Sequence, residues 1–580
     1  MKATDYIARY LYSRGVRTVF ELPGGMTTHL LNSIYEFQRI RILSVHHEQA
    51  AAFCADATGR LTGVPGVAMA TSGPGAINLL TGIGSCYFDS SPAVFITGQV
   101  NRWELRGERA IRQLGFQETD IVSMSKPITK ASWQVSAPEE LPELIERAFD
   151  LAIAGRPGPV LVDIPMDIQN SSVNWTESDV SGARIASTVN PSAPAIDPDM
   201  WIRLRDALGV SQRPLVLVGA GVRAGNALEA FHAFVRALGL PVVNSLLAVD
   251  VMPHGDPLRV GMIGSYANRW ANHALASSDL LIVLGSRLDI RQTGNDTAFF
   301  KGNRVIVHVD CEAGEINNRV TGCVAVVSEL RTFLASALKE LSKAAHEDWS
   351  GWRAEIDALR QKYDDRLELG TAQGINPNVF MHQLSAASHR AGAYLVDVGQ
   401  HQMWAAQSIE VQAGQRWLTS GGMGCMGFAL PAAIGAAVAL APRPVVVIAG
   451  DGAFQCTLQE LQTVVRNRLP IKIVVVNNHC HGMVRQFQQS YFKEQYQSTL
   501  WGYDTPDFAR LAETYGIRSF SILNESQVDE GLRSLWEDPS EPALIDVSID
   551  TFTNVYPKIA FGRPLTEMEP DSKPIAMEST

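Results

Sequence analysis

"GDGAFQCTLQELQTVVRNRLPIKIVVVNN", residues 450–478, opens with an acid between two glycines and closes on two asparagines after a run of valines. "PVVVIAG" (444–450) and "IKIVVV" (471–476) are short, continuous, β-branched runs. Such runs are buried on both faces, as strands of a parallel sheet are. "LQELQTVVRNR" between them has helix length and composition, so the unit predicts strand, helix and parallel strand. Asp451 and Asn478 then leave adjacent strand ends on one rim, where open parallel sheets bind ligands. Two ordinary turns would explain each residue alone. Together, a carboxylate, an amide oxygen and a nearby backbone carbonyl form the protein half of a Mg²⁺ site shared with phosphates.

The same pattern repeats along the chain. "RTVFEL", "GVAMATSG", "AVFITGQ" and "PVLVDIP" form a first α/β series, and "PLVLVGAG", "PVVNSLLAV", "LLIVLGSR" and "RVIVHVD" a second. "AYLVDVG", "PVVVIAGDG", "IKIVVVNN" and "PALIDVSI" form a third. The expected fold is α/β, with three doubly wound parallel-sheet domains at roughly 1–170, 190–345 and 372–552 and a tail at 553–580. A Ser-, Asn- and Pro-rich stretch near 169–198 reads as a linker. "HEDWSGWRAEIDALRQKYDDRLEL" (346–369) reads as a charged helical segment before the third series.

At 580 residues, 46% hydrophobic and 19% charged, the chain is long enough for several packed cores. A net charge of −11 without a basic tract argues against nucleic-acid binding. Seven scattered cysteines form no metal or disulfide spacing and read as reduced thiols. The start "MKATDYIARYLYSRGVRTVF" lacks a signal-peptide core, and no apolar run reaches membrane-span length. A cytoplasmic enzyme with no membrane partner is the expectation.

G-D-G with the second asparagine about 27 residues on resembles the signature of thiamine-diphosphate enzymes. "DVGQHQMWAAQ" (397–407), "WLTSGGMGCMGFALPAAIGA" (417–436), "MVRQFQ" (483–488), "HHEQAAAFCADATGRLTG" (46–63), "TSGPGAINLLTGI" (71–83) and "GFQETDIV" (115–122) narrow the resemblance to the acetohydroxyacid (acetolactate) synthase family. It extends to "RPLTEMEP" (563–570), in order. The resemblance implies that Asp451, Asn478 and the Cys480 carbonyl hold Mg²⁺, and that Gln400, His401, Gly452 and Ala453 contact the diphosphate. Met426, beside Gly424 in "GGMGCMG", would wedge beneath the bent cofactor rather than fill core.

Glu48 sits where a strand end passes into an Ala-rich helix. Alone it would complement the helix dipole. By resemblance it is the acid that activates the cofactor's aminopyrimidine, reaching the cofactor of another subunit, which implies a homodimer or homotetramer. Gln117 and Phe116 would line the site near the reacting carbon.

Glycines follow a strand in "LVLVGAGVRAGN" (215–226), but not as a dinucleotide fingerprint. By resemblance Gly219, Arg287 and Asp310, with Arg156 from the first domain, hold FAD that the net reaction does not consume. Several residues depart from the family pattern near the acceptor. Phe487 stands for Trp, Ser265 and Tyr266 for Met and His, Ile290 for Asp beside a retained Arg291, and Met166 for an entrance Lys. These changes remove volume and add hydrogen-bonding groups. The expectation is a carboligase that decarboxylates pyruvate and transfers the two-carbon unit to a larger or more polar carbonyl acceptor, such as a nucleotide-linked keto sugar. Acetolactate synthesis, with pyruvate or 2-oxobutyrate as acceptor, is the alternative, and a flavin-dependent pyruvate oxidase a further one. The tail reads by default as disordered, and by resemblance as a cover for the site.

Overall fold

A computed structural model describes residues 1–173, 196–341 and 348–575. Most of the linker expected near 169–198 lies outside the described residues. Three six-stranded parallel sheets, each with helices, form the architecture, as the β-branched runs predict. In the first, the spatial order is Arg41–Ser44, Thr18–Leu22, Gly66–Ala70, Ala93–Gln99, Pro159–Pro165, Ala131–Gln134. The third repeats that order: Arg416–Thr419, Ala393–Val396, Val445–Gly450, Ile471–Asn477, Ala543–Ser548, Arg518–Ile522. The central sheet runs Val324–Val327, Val305–Asp310, Leu280–Leu284, Pro214–Val218, Val242–Asn244, Arg259–Met262. Its core also takes Trp352 and Ile356 from the helix Ser350–Lys362.

The first and third domains share a core built on two Ala-rich helices, Glu48–Thr62 and Ala429–Ala439. Small side chains let the backbones approach closely. A Cβ on Gly435 would sit 2.2 Å from the Cys54 carbonyl oxygen. The Cys54 thiol donates to the Pro431 carbonyl at 3.1 Å, and Phe53 meets Phe428 edge-to-face at 5.3 Å. This contact fixes the helix that begins at Glu48 against the domain that carries Asp451.

The tail corrects the default expectation of disorder. Lys558–Ile559 pairs antiparallel with Met568–Glu569, and Ile559 and Leu565 join the central core. Lys558 and Glu569 form a buried ion pair at 2.8 Å. Spaced apolar residues, rather than an apolar run, anchor the segment, so its polar composition conceals the docking. Among the described residues no helix is long and apolar enough to cross a membrane.

Candidate active site

Strands Val445–Gly450 and Ile471–Asn477 pair in parallel with Gly450 opposite Val476, so Asp451 and Asn478 leave one rim. The connecting stretch is less helical than its composition predicts. It forms a short helix Asp451–Gln455, a 3₁₀ turn Leu458–Glu460 and a helix Leu461–Arg466. Asp451 is 3% exposed; its Oδ1 accepts the Gly452 N–H at 2.8 Å, while Oδ2 is buried with no hydrogen-bond partner. Burial pushes this carboxyl up to about 7. Asn478 donates from Nδ2 to Gln400 Oε1 at 2.8 Å, so its Oδ1 is the atom left to ligate. Burial pushes the Cys480 thiol up to about 12, which leaves the backbone carbonyl as that residue's donor atom. Among the described residues no three His, Cys, Asp or Glu side chains cluster around a metal position. Asp451, Asn478 and Cys480 thus offer a carboxylate, an amide oxygen and a backbone carbonyl, donors of the kind an oxygen-seeking ion shared with phosphates takes.

His401 packs its ring against Gly399 and Gly450; a Cβ on Gly450 would lie 2.6 Å from its Nδ1. The first glycine of G-D-G thus makes room for an imidazole. The ring is hydrogen-bonded to the Asp397 carbonyl, and buried Nε2 has no partner. Burial drives this imidazole down to about 3, so it stays neutral in the free chain. Gly452 and Ala453 are buried beside it, and a Cβ on Gly452 would meet the His481 ring at 2.6 Å. Gly424 and Met426 lie on the loop before the helix Ala429–Ala439, and Met426 is 37% exposed.

A second constellation forms in the first domain. Glu48 opens its helix and is buried; its Oε2 accepts the Asn78 amide at 2.9 Å. Its Oε1 lies 3.0 Å from where a Cβ on Gly75 would sit, and Gln117 lies equally close to a Cβ on Gly73. The glycine-rich turn 71–75 therefore packs closely against both Glu48 and Gln117. Gln117 takes a left-handed φ of 66°. Phe116, beside it, is 79% exposed.

The central cleft, about 220 Å³, is lined by Arg156, Gly219, Arg287 and Asp310. The structure thus brings together the four residues expected at a flavin. Two of their side chains are already engaged. Arg156 binds Glu312 at 2.7 Å and Glu315 at 2.6 Å, and Asp310 accepts the Glu312 N–H at 2.9 Å. Gly219 is small because a Cβ there would lie 2.1 Å from the Gly285 carbonyl oxygen.

Ser265, Tyr266 and Arg291 line this same cleft rather than a separate pocket. The Ser265 amide donates to the Arg291 carbonyl at 2.6 Å, and its carbonyl accepts from Ile559 of the tail at 2.9 Å. Burial pushes the Tyr266 hydroxyl up to about 12. Phe487 lies on the helix Gly482–Tyr491, with Tyr491 at 4.8 Å, and Ile290 is half exposed. Met166 starts a short helix of the first domain. These expected pocket residues are thus spread over three domains.

Asp397 is the site residue the sequence reading does not single out. Its carboxylate accepts the N–H groups of Val398, Gly427 and Ala429 at 2.8–2.9 Å. Its place inside the quoted motif is the only signal in the sequence.

Three family descriptions match in chain order. They are the thiamine pyrophosphate enzyme N-terminal TPP binding domain (1–124), the central domain (203–337) and the C-terminal TPP binding domain (397–547). The chain is 37% identical over 568 residues to the acetolactate synthase isozyme 2 large subunit of Escherichia coli K12, covering 98% of this chain and 99% of that protein. It is 36% identical over 570 residues to the acetolactate synthase large subunit of Corynebacterium glutamicum, covering 97% and 89%. The Lactococcus lactis large subunit is 35% identical over 565 residues, covering 97% and 95%. With the sheet order, the G-D-G rim and the Glu48 turn in place, the chain belongs to the acetolactate synthase family of thiamine-pyrophosphate enzymes, which form carbon–carbon bonds.

Proposed function

We propose that this chain decarboxylates pyruvate and joins the two-carbon unit to a second 2-oxo acid, giving an acetohydroxy acid. The observation that carries the cofactor reading is the pair of orphaned buried atoms, Asp451 Oδ2 and His401 Nε2, on one strand-end rim. Asp451, Asn478 and the Cys480 carbonyl would hold Mg²⁺. Gln400, His401, Gly452 and Ala453 would hold the diphosphate, with Gly424 and Met426 under the rings. Thiamine diphosphate, when bound, supplies the carbon nucleophile that adds to a keto carbon and lets CO₂ leave. Glu48, whose Oε1 packs against Gly75, would hold a proton against the pyrimidine nitrogen. Gln117 would orient the substrate, and Phe116 would exclude water from its charged carboxylate.

The acid and the diphosphate rim belong to different domains, and Phe116, Met423 and Met426 leave apolar surface open beside them. This supports active sites completed between two copies of the chain in a homodimer or homotetramer. Arg156, Gly219, Arg287 and Asp310 would hold FAD in the central cleft, whose walls, drawn from all three domains, support the assignment.

The names of the relatives support the acetolactate reading over the expected keto-sugar acceptor. One observation keeps the second reading in view. Ser265, Tyr266 and Arg291 wall one cleft with hydroxyl and guanidinium groups, where a polar acceptor would find partners. The deciding experiment incubates the chain with pyruvate, thiamine diphosphate, Mg²⁺ and FAD while CO₂, acetolactate and oxygen are followed together. Rapid acetolactate formation is the expected result. Slow CO₂ release accelerated by a nucleotide-linked keto sugar would overturn the acceptor assignment, and oxygen consumption would indicate an oxidase. The Glu48→Gln variant should lose decarboxylation while still binding the cofactor with Mg²⁺.

A further inference from the structure

Asp397 ends the strand Ala393–Val396 and is 1% exposed. Oδ1 accepts Val398 N–H at 2.8 Å and Gly427 N–H at 2.9 Å, and Oδ2 accepts Ala429 N–H at 2.8 Å. The carbonyl of the same residue receives the His401 ring. One residue therefore fastens both walls of the cleft, the imidazole on one side and the Met426 loop on the other.

That loop needs an external anchor. Gly424 and Gly427 take left-handed φ values of 72° and 83°, and glycine brings little preference of its own for one conformation. Met426 lies between them and is 37% exposed, so its position follows from the backbone on either side. The anchoring group is costly to bury. Desolvation pushes the carboxyl up to about 6 against the pull of the amides. An acceptor-only group suits three converging N–H donors, whereas a carboxamide would turn an N–H₂ toward at least one of them.

We propose that Asp397 is a positioning residue of the cofactor cleft, holding the Gly427 and Ala429 amides so that Met426 stands ready beneath the cofactor before it binds. This rests on the cofactor reading given under the preceding heading. Asp397 would touch neither cofactor nor substrate and would act through the loop.

The test uses the full-length chain, with thiamine diphosphate and Mg²⁺ as the probe. Asp397→Asn should bind the cofactor roughly tenfold to a hundredfold more weakly, as loss of a charge-assisted hydrogen bond predicts. The near-UV circular dichroism of the bound cofactor should also change, which a merely structural loss would not produce. Met426→Ala should weaken binding too, and the double variant should bind no more weakly than the worse single one. Additive losses, or wild-type affinity and spectrum in Asp397→Asn, would overturn the proposal and leave the cofactor reading intact. A wild-type chain that binds no thiamine diphosphate would sink both. If Asp397→Asn does not fold, amide exchange in the wild-type chain decides. The Gly427 and Ala429 amides should exchange slowly without cofactor, and its addition should slow them by less than about threefold. Fast exchange that slows only on binding would overturn the preset loop.

Discussion

The diphosphate rim of the third domain and the cleft of the central domain both carry residues expected to hold a cofactor, yet their polar atoms are occupied differently. At the rim, Asp451 Oδ2 and His401 Nε2 are buried without partners. In the cleft, Arg156 is paired twice and Asp310 accepts a backbone N–H. An unpaired buried polar group costs about 1–3 kcal/mol, and a charged one more. The two orphaned atoms leave the rim with hydrogen-bonding capacity that a bound ligand would meet. In the cleft the expected contacts Arg156 and Asp310 already have partners, so a ligand there would have to share or displace them.

The largest effect should therefore come from the rim. Asp451→Asn keeps the shape and removes the charge an ion would meet. Cofactor affinity measured by calorimetry should fall about a thousandfold, and its dependence on Mg²⁺ should vanish. Retained Mg²⁺-dependent binding would erase the distinction between the two regions.

Gly219→Ala probes the other side. The added Cβ would collide with the backbone of Gly285–Ser286, 2.1 Å from the Gly285 carbonyl oxygen and 2.7 Å from Ser286 Cα. Overpacking against backbone should destabilise the chain by about 3 kcal/mol, read by denaturant melts without flavin. A chain that melts normally but binds FAD poorly would make Gly219 a ligand contact instead of a packing residue.

Arg156→Ala separates contact from neutralisation. Its loss leaves Glu312 and Glu315 without that cation, so FAD affinity should fall about tenfold and respond to salt. Adding Glu312→Gln and Glu315→Gln should restore affinity if the guanidinium only balances those acids. No recovery would mean that Arg156 touches the flavin itself.

The same contrast governs what the sequence discloses. The strands of the rim are legible because burial on both faces writes continuous Val and Ile runs, and because Asp451 and Asn478 fall at their ends. Glu48 is legible as the acid at a helix start. The reason for Gly219 is not, since Gly285 lies far along the chain and meets it only after the sheet forms. Asp397 is hidden likewise, because its amide partners arrive from a loop some thirty residues away. The tail misleads because its apolar residues, Ile559 to Phe561, Leu565 and Met568, are interrupted by glycine, proline and charged residues and show no period. The acceptor expectation rests on substitutions whose side chains the structure spreads over three domains, so their joint meaning is not a property of sequence spacing.

A third polar cluster serves as the control for the comparison. His382 bonds to Asp365 at 3.1 Å and to Glu410 at 2.8 Å, and Ser408 donates to Asp365 at 2.5 Å. His254 and Arg366 approach the same Glu410 from the central domain and the connecting helix. Hydrogen bonds to Asp365 and Glu410 raise the His382 imidazole above its ordinary 6.5 despite burial, and His382 holds Asp365 below 3.8. The imidazole's share of stability is complete below pH 6.5 and fades as pH rises through its raised folded value. The carboxylate's share is complete above pH 3.8 and fades as pH falls through its lowered one. His382→Gln should therefore cost about 1 kcal/mol near pH 5 and much less near pH 8.5, while cofactor affinity stays unchanged. Because His382, Asp365 and Glu410 bond to one another, the loss of His382 must be read in melting and pH, not in binding. A pH-independent cost, or a cofactor defect, would show that self-partnered polar groups cannot be told from ligand sites by their unpaired atoms.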